Sequence, residues 1–244
     1  MKVLSIANFK GGCGKTTSAY HLGKLMAGYR QRTLLIDLDP QHNLTERFYT
    51  QPGAPTIADV LGGAAPAVNL THAVIPLKQD GLLYLAPSEF NLANVALGLL
   101  SDVVKGRTAL RRALRAVAGQ YGIVIIDCPP EAGILLANAL LASDGVLLPA
   151  EPERDALAGV KAVMEMTTAI REEFERDTPM VLGTIAARVD ARTNRHAEGL
   201  AIMEASTMAP LWGQIPERNG QLREQELLLA YEPVAEKLCE WLKE

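Results

Sequence analysis

Short apolar runs alternate along the chain with segments of helical periodicity, and this alternation limits the fold more than any other feature of the sequence. Runs such as RTLLIDLD and YGIVIIDCP carry hydrophobic residues at consecutive positions rather than at every second one. Strands of this kind are buried on both faces, which is typical of parallel strands covered by helices. The sequence therefore predicts an α/β fold, with a doubly wound, mostly parallel sheet and helices on both faces.

The same pattern predicts the element boundaries. Strands are expected at 2–8, 32–39, 81–87, 121–129, 144–150 and 180–189. Helices are expected at 15–29, 88–100, 107–119, 153–176, 193–207 and 233–243. The proline- and glycine-rich segment 50–72 predicts a loop with one short helix at 56–61. Because one α/β domain commonly reaches 244 residues, residues 1–244 are expected to form a single domain.

Composition and charge narrow the functional classes. The net charge of −4 gives no general polycation character that would indicate nucleic-acid binding. Cys13, Cys128 and Cys239 lie far apart, which argues against a zinc site or a disulfide framework and favours a reducing compartment. No apolar stretch reaches the ~18 residues of a membrane span, and no leader-peptide pattern precedes the first strand. We expect a soluble, cytoplasmic protein.

The stretch NFKGGCGKTTSAYHLGKLMA, residues 8–27, places a glycine-rich loop between the first predicted strand and the first predicted helix. In this setting backbone N–H groups and a helix N-terminus hold phosphate. The usual spacing Gly-x-x-x-x-Gly-Lys-Thr is broken, because Phe9 stands where the first glycine is expected. A second lysine, Lys10, precedes the glycines instead. The loop predicts a phosphate site of an unusual kind.

Several residues of this loop have predicted roles in binding phosphate or Mg²⁺. Lys15 would neutralise the β- and γ-phosphates, and Thr16 would supply a hydroxyl to Mg²⁺. Thr17, one residue further into the helix, can cap that helix or reach the α-phosphate. Cys13 is expected to act as a small hydrophobic residue rather than as a redox switch. The residues that let the backbone approach an anion closely are Gly11, Gly12 and Gly14.

Carboxylates end two of the predicted strands. Asp37 and Asp39 close the run LLIDLDPQ, and Asp127 closes the run IVIIDCPP. A single aspartate at such a position is as consistent with a turn or a helix cap as with a metal site. Three of them beside a phosphate loop predict a Mg-nucleotide site, because strand ends deliver carboxylates to the shell of the metal.

These motifs resemble the ParA family of partition ATPases, within the wider ParA/MinD class of P-loop NTPases with a deviant Walker A motif. The similarity runs in order from residue 2 to about 195. It is carried by Lys10–Thr17, LLIDLDPQHNLT (34–45), YGIVIIDCPP (121–130), DGVLLPAEPERDALAGV (144–160) and DARTN (190–194). Further along, IPERNGQL (215–222) only loosely resembles the family's loop near the adenine, and Ala187 stands where the family has threonine.

The resemblance implies a slow, Mg²⁺-dependent ATPase and a role for each site residue. Lys10 would reach across an ATP-sandwich homodimer to the phosphates of the opposite subunit; the alternatives are that it contacts its own nucleotide or only solvent. Asp39 would orient the attacking water. Mg²⁺ would be held by Thr16, Asp37 and Asp127, and the catalytic residues would be Lys10, Lys15 and Asp39. The nucleotide contacts would be Lys10, Gly11, Gly12, Cys13, Gly14, Lys15, Thr16, Thr17 and Pro216.

The resemblance also implies partners. The ATP-bound dimer would bind double-stranded DNA non-specifically, and a ParB-like partner would stimulate hydrolysis and release it, so that a plasmid, chromosome region or other cargo is segregated. The protein would be associated with the nucleoid when bound to ATP. The candidate DNA-binding residues are Arg192, Arg195, Arg218 and Arg223. A second basic cluster, with Arg107, Arg111 and Arg115 on one face of a predicted helix, is equally consistent with a solvated surface.

Other functions on this scaffold are less consistent with the sequence. A MinD-like membrane-associated ATPase would dock through a basic C-terminal helix, whereas YEPVAEKLCEWLKE is rich in glutamate and is expected to pack on the body of the protein. An ATP-dependent amide or biotin-pathway synthetase would need further acid–base residues, and no such set stands out. An iron–sulfur reductase would need paired cysteines, which Cys128 lacks.

Overall fold

The computed structural model describes residues 1–48, 53–62, 68–77, 81–190, 192–217 and 224–244. Its eight-stranded sheet has the order β3-β4-β2-β5-β1-β6-β7-β8. The strands are β1 Lys2–Ile6, β2 Thr33–Asp37, β3 Ile75–Pro76, β4 Leu83–Ala86, β5 Ile123–Asp127, β6 Gly145–Ala150, β7 Met180–Val189 and β8 Leu211–Pro216. All pair in parallel except β3, which is antiparallel to β4. The predicted mostly parallel α/β fold is confirmed.

Helices connect the strands and cover both faces of the sheet. They are α1 Lys15–Gly28, α2 Asn43–Phe48, α3 Ile57–Leu61, α4 Leu70–Ala73, α5 Leu92–Leu99, α6 Val103–Arg107, α7 Ala109–Ala113, α8 Ile134–Ala142, α9 Arg154–Glu173, α10 Asn194–Glu204 and α11 Glu224–Trp241, with a 3-10 turn at Leu114–Val117. Alternate residues of β2 enter opposite cores: Leu34 and Ile36 pack on one face, and Leu35 packs on the other. The central strands are therefore buried on both sides, as their composition predicts.

The predicted helix at 107–119 is wrong, because the chain breaks there into α6, α7 and the 3-10 turn. The buried side chain of Asn138 causes the break. Its Nδ2 donates to the carbonyl of Gly106 at 2.8 Å, and its Oδ1 accepts from the N–H of Leu110 at 3.0 Å. These bonds replace helical ones, so the arginines at 107, 111 and 115 do not share one helix face. Arg107 instead pairs with Glu173.

The C-terminal third also differs from the prediction. The strand β8 was not predicted, because it is a short edge strand of mixed burial. Helix α11 begins at Glu224, nine residues before the predicted start at Pro233, which lies inside the helix. Proline is tolerated there only where its missing N–H and its ring are accommodated by the preceding turn. The predicted packing of this helix on the body is confirmed, since Val234, Leu238 and Trp241 are buried.

Smaller differences lie between β2 and α5. The predicted short helix is present as α3, and its N-cap Thr56 forms a capping box with Asp59. The segment 50–72 also contributes the start of a second short helix, α4, capped by Asn69. Residues 49–52 and 63–67 lie outside the described part of the chain.

Candidate functional site

The glycine-rich loop lies between β1 and α1, at the carboxyl ends of the parallel strands. Gly12 and Gly14 have φ of 75° and 94°, backbone conformations that residues with a Cβ rarely adopt. Gly14 is the N-cap of α1, and no side chain caps the helix there. The first N–H groups of α1 therefore face the loop without a side-chain acceptor, which is the arrangement that holds phosphate.

A cavity of about 580 Å³ opens at this loop. Lys15 is buried at its wall, and its ammonium donates to the carbonyl of Lys10 at 3.1 Å. The lining brings together the loop, the end of β2 and the start of α2. It consists of Gly11, Gly12, Gly14, Lys15, Thr16, Thr17, Asp39, Gln41, Asn43, Glu46, Arg47 and Pro130. The structure thus joins the predicted phosphate loop and Asp39 in one site.

Asn8 anchors the start of the loop, a role that the sequence did not predict. Its Oδ1 accepts from the N–H of Lys10 at 3.0 Å, and its Nδ2 donates to the carbonyl of Pro149, 141 residues away, at 2.7 Å. Gly159 of α9 packs directly on this amide, and a Cβ at position 159 would collide with the Asn8 oxygen. The available signal was the lone asparagine at the end of an apolar strand.

Lys10 is held by acidic residues that follow β6. Its ammonium lies 3.1 Å from Oε2 of Glu151 and 3.7 Å from Oε2 of Glu153. Glu151 is largely buried, and its other oxygen accepts from Arg188 at 2.7 Å. The ammonium of the second lysine is therefore paired with carboxylates of its own chain, and Lys10 is not among the residues that line the cavity at the loop.

The three predicted carboxylates meet at one sheet edge. Asp37 and Asp127 are direct neighbours in the register of β2 and β5. Both oxygens of Asp37 are hydrogen-bonded: Oδ1 accepts from the N–H of Asp39 at 3.2 Å, and Oδ2 accepts from the N–H and the hydroxyl of Thr45 at 2.8 and 2.7 Å. Asp39 is nearly buried, and its Oδ1 accepts from the N–H of Gln41 at 2.9 Å.

Burial is the main cause of the raised pKa values of Asp37 and Asp127. It raises the pKa of Asp37 to about 6, although the hydrogen bonds from Thr45 act in the opposite direction. Burial, reinforced by the negative charge of Asp37, raises the pKa of Asp127 well above its ordinary value. The nearby Thr16 hydroxyl lowers that pKa, yet neither Asp127 oxygen has a hydrogen bond of normal geometry within the described residues.

A buried carboxylate without a partner is the observation that fits a cation at this edge. Among the described residues no cluster of three histidine, cysteine or acidic side chains could enclose a metal ion. The oxygen donors at the ends of β2 and β5 suit Mg²⁺, which keeps several waters and uses phosphate oxygens together with one or two carboxylates. Thr16, Asp37 and Asp127 are the residues that could hold it.

The predicted nucleotide contact Pro216 and the position at which the family has threonine, Ala187, lie on the last two strands of the sheet, β8 and β7. Pro216 ends β8 and is exposed, opposite Val189 in the strand register. Ala187 is buried beneath the loop, and a Cβ on Gly14 would lie 3.2 Å from its Cβ.

The predicted DNA-binding arginines are only partly described. Arg192 and Arg195 have side chains that are 75% and 74% exposed. Arg192 forms a bidentate pair with Asp190, at 2.9 and 2.8 Å, and Arg195 lies 3.5 Å from Glu153. Arg218 and Arg223 lie outside the described residues. Acidic partners therefore offset the charge of both described arginines.

Comparisons with known proteins identify the family. A family model described as an AAA domain matches residues 1–180. The sporulation initiation inhibitor protein Soj of Bacillus subtilis (strain 168) is 31% identical over 225 residues, which are 91% of this chain and 87% of Soj. The chromosome partitioning protein ParA of Caulobacter vibrioides is 39% identical over 176 residues, which are 70% of this chain and 64% of that protein. The chain belongs to the ParA family of partition ATPases.

Solved structures similar to this ParA-family chain share its whole fold. McdA of Cyanothece, solved as a complex with ATP, has a TM-score of 0.84 and 29% identity, over 100% of this chain and 95% of McdA. Cobyrinic acid a,c-diamide synthase from Mycobacterium smegmatis, solved with ADP and magnesium, has a TM-score of 0.87 and 29% identity, over 100% and 96% of the two chains. In the described part of this chain, no helix has the length and apolar character needed to cross a bilayer.

Proposed function

We propose that this ParA-family chain binds ATP and Mg²⁺ and hydrolyses ATP slowly in a partition cycle, with residues 1–244 acting as one nucleotide-binding domain. The observation that carries the proposal is the loop at residues 10–17, with its left-handed glycines and buried Lys15, beside three carboxylates at the same sheet edge. A phosphate cradle next to a buried, unpartnered carboxylate suits a magnesium–phosphate ligand better than an uncharged one.

Each site residue has a proposed role in this cycle. The backbone from Lys10 to Thr17 binds the phosphates, and Lys15 neutralises their charge. Thr16, Asp37 and Asp127 hold the magnesium, which supplies charge neutralisation when bound. Asp39, whose carboxylate lines the cavity, orients the attacking water. Pro216 lies against the base.

Lys10 makes the cycle depend on a second copy of the chain. In the proposed homodimer Lys10 leaves Glu151 and reaches the phosphates bound by the other subunit. Two triphosphates that face each other repel strongly, and a cation donated by each subunit offsets that repulsion and stabilises the charge of the departing γ-phosphoryl. ATP then holds the dimer together, and its hydrolysis ends the contact.

The dimer is proposed to bind double-stranded DNA non-specifically through Arg192, Arg195, Arg218 and Arg223, in the cytoplasm and on the nucleoid. A ParB-like partner would stimulate hydrolysis and so release the dimer from DNA. Dimerisation doubles the number of arginines, and phosphate contacts make DNA affinity fall steeply with salt. The relatives Soj and ParA support this proposal by their names, as proteins of sporulation control and chromosome partitioning.

Gel filtration with light scattering tests the proposal directly. The wild-type chain should be a dimer with ATP and a monomer with ADP or without nucleotide, and only the ATP form should bind DNA at low salt. Lys10→Ala should still bind ATP as a monomer, whereas Asp39→Ala should stay dimeric on DNA without turnover. Lys15→Ala should lose nucleotide binding and serves as the control. Dimers of Lys10→Ala with ATP would contradict the role of Lys10, and brisk hydrolysis by Asp39→Ala would contradict the role of Asp39.

The diamide synthase supports a second candidate, an ATP-dependent amide-forming enzyme, because its fold matches this chain with a TM-score of 0.87. Such an enzyme joins a carboxylic acid to ammonia or an amine and converts one ATP to ADP and phosphate for each amide formed. The two candidates differ in what stimulates turnover: DNA together with a protein partner in one, and a carboxylic acid together with a nitrogen donor in the other. Phosphate release measured with each addition separates them.

A further inference from the structure

Arg47 lies at the cavity beside the glycine-rich loop and has no role in the site described so far. Its Nη2 donates to the hydroxyl of Thr17 at 3.1 Å, and its guanidinium lies 5.4 Å from the centre of the Tyr20 ring. Arg47 lines the cavity together with Lys15 and Thr17. The guanidinium is exposed, but its contacts with the Thr17 hydroxyl and the Tyr20 ring restrict its position.

The position of Arg47 follows from the carboxylate pair. Asp37 accepts from both the N–H and the hydroxyl of Thr45, which fixes α2 against the end of β2. Arg47 follows Thr45 by two residues on this short helix. The helix therefore holds the guanidinium beside the first turn of α1, where Thr17 lies.

Lys10 and Lys15 already have partners near the loop, whereas most of the N–H donors of Arg47 can bind a ligand. Lys10 is paired with Glu151, and Lys15 donates to the carbonyl of Lys10. Among the described residues no carboxylate lies within ion-pair distance of Arg47, and its one hydrogen bond goes to Thr17. A guanidinium has five N–H donors in a planar fork that matches phosphate oxygens. Most of these donors can turn to an anion in the cavity.

We infer that Arg47 binds the α-phosphate of a nucleoside di- or triphosphate bound by the same chain, together with the Thr17 hydroxyl. The inference rests on the proposed nucleotide site. Lys15 and the glycines of the loop bind the terminal phosphates, and Thr17 lies one residue beyond Thr16 along α1. A ligand group that accepts from Thr17 is then within the range of Arg47. Arg47 is a binding residue that fixes the nucleotide at its first phosphate.

This role predicts equal losses of ADP and ATP affinity, because both nucleotides carry the α-phosphate. Arg47→Gln should weaken Mg-ADP and a non-hydrolysable Mg-ATP analogue by the same factor, about tenfold at low salt, as expected for the loss of one charge-assisted contact. The difference from wild type should shrink as salt is raised. Arg47→Lys should recover part of the affinity, since it keeps the charge but not the fork. Isothermal titration calorimetry at two salt concentrations measures all three effects.

Lys24→Gln is the matched control. Lys24 also lies over the Tyr20 ring, at 5.0 Å, but it does not line the cavity, so its loss should leave both affinities within about twofold of wild type. Thermal unfolding without nucleotide should be the same for wild type and Arg47→Gln, which excludes a folding defect. Unchanged ADP affinity in Arg47→Gln overturns the inference, and so does a loss confined to the ATP analogue, which would indicate a contact with a partner's nucleotide. Failure of the wild type to bind either nucleotide overturns the proposed function instead.

Discussion

At the residue scale, the two carboxylates of the buried pair Asp37 and Asp127 differ in their hydrogen bonding. Hydrogen bonds satisfy both oxygens of Asp37, whereas those of Asp127 have no partner of normal geometry in the described part of the chain. A buried carboxylate in this condition destabilises the fold when it is ionised. Such a cost is characteristic of a site whose charge is compensated only when a cation is present.

Asp127→Asn should therefore stabilise the protein when nucleotide and Mg²⁺ are absent. Because the pKa of Asp127 is raised in the folded state, the folded protein binds more protons than the unfolded protein above about pH 4, and stability falls as the pH rises towards the folded pKa. The variant avoids this loss. Its melting temperature should match that of wild type near pH 4 and exceed it at pH 7, by about 2–4 °C for each kcal/mol relieved.

Circular dichroism melts between pH 4 and pH 8 measure this difference. The exposed Asp177→Asn serves as the control and should follow the wild-type curve. A difference between Asp127→Asn and wild type that is constant with pH would show that packing, not ionisation, causes it. The same variant should lose Mg²⁺-dependent nucleotide affinity, which separates the cost of the carboxylate from its use.

At the element scale, one side chain of α8 decides how the chain between α5 and β5 is divided. Asn138 is fully buried and bonds Gly106, Leu110 and its own helix at Ile134. Gly106 approaches the backbone of Leu99 so closely that a Cβ could not fit between them. The basic residues of this region are therefore distributed over three short elements. They do not form the continuous stripe that their spacing indicates.

Asn138→Ala should lower the free energy of unfolding by about 2–4 kcal/mol, because it leaves the N–H of Leu110 buried without its acceptor and removes one of two hydrogen bonds to the carbonyl of Gly106, which keeps the bond from the Thr108 N–H. Urea unfolding followed by fluorescence or circular dichroism measures the change. Asn94→Ala is the matched control, since Asn94 is exposed and its side chain bonds only Asn91, and it should change stability by less than about 0.5 kcal/mol. Equal effects of the two variants would contradict the structural role of Asn138.

At the scale of the whole molecule, ion pairs connect the glycine-rich loop to residues at or near the ends of β6, β7 and β8. Glu151 binds Lys10 with one oxygen and Arg188 with the other, and Arg188 also lies 3.4 Å from Glu217 at the end of β8. The dimer proposed above requires Lys10 to leave this network. The pairing of Lys10 with Glu151 therefore opposes dimerisation in each copy of the chain.

Glu151→Gln should strengthen the ATP-dependent dimer. A partly exposed ion pair is worth about 0.2–1 kcal/mol, and each dimer breaks two of them, so the dimer dissociation constant should fall by roughly two- to thirtyfold. Analytical ultracentrifugation with a non-hydrolysable ATP analogue measures it. Glu217→Gln is the control, because it removes a contact of Arg188 without touching Lys10. A weaker or unchanged dimer in Glu151→Gln would show that the pair does not restrain Lys10.

The sequence by itself determined the parallel α/β fold and the glycine-rich loop and aspartates of the proposed phosphate site, because these depend on local order. A doubly apolar strand, a glycine loop and a helix are successive, and aspartates at the ends of parallel strands reach the same edge in any doubly wound sheet. Only the tertiary structure decided that Lys10 pairs with Glu151, that Asn8 bonds Pro149 and that Asn138 divides a helix. These contacts join residues far apart in sequence, and no local pattern of composition or periodicity records which side chains meet there.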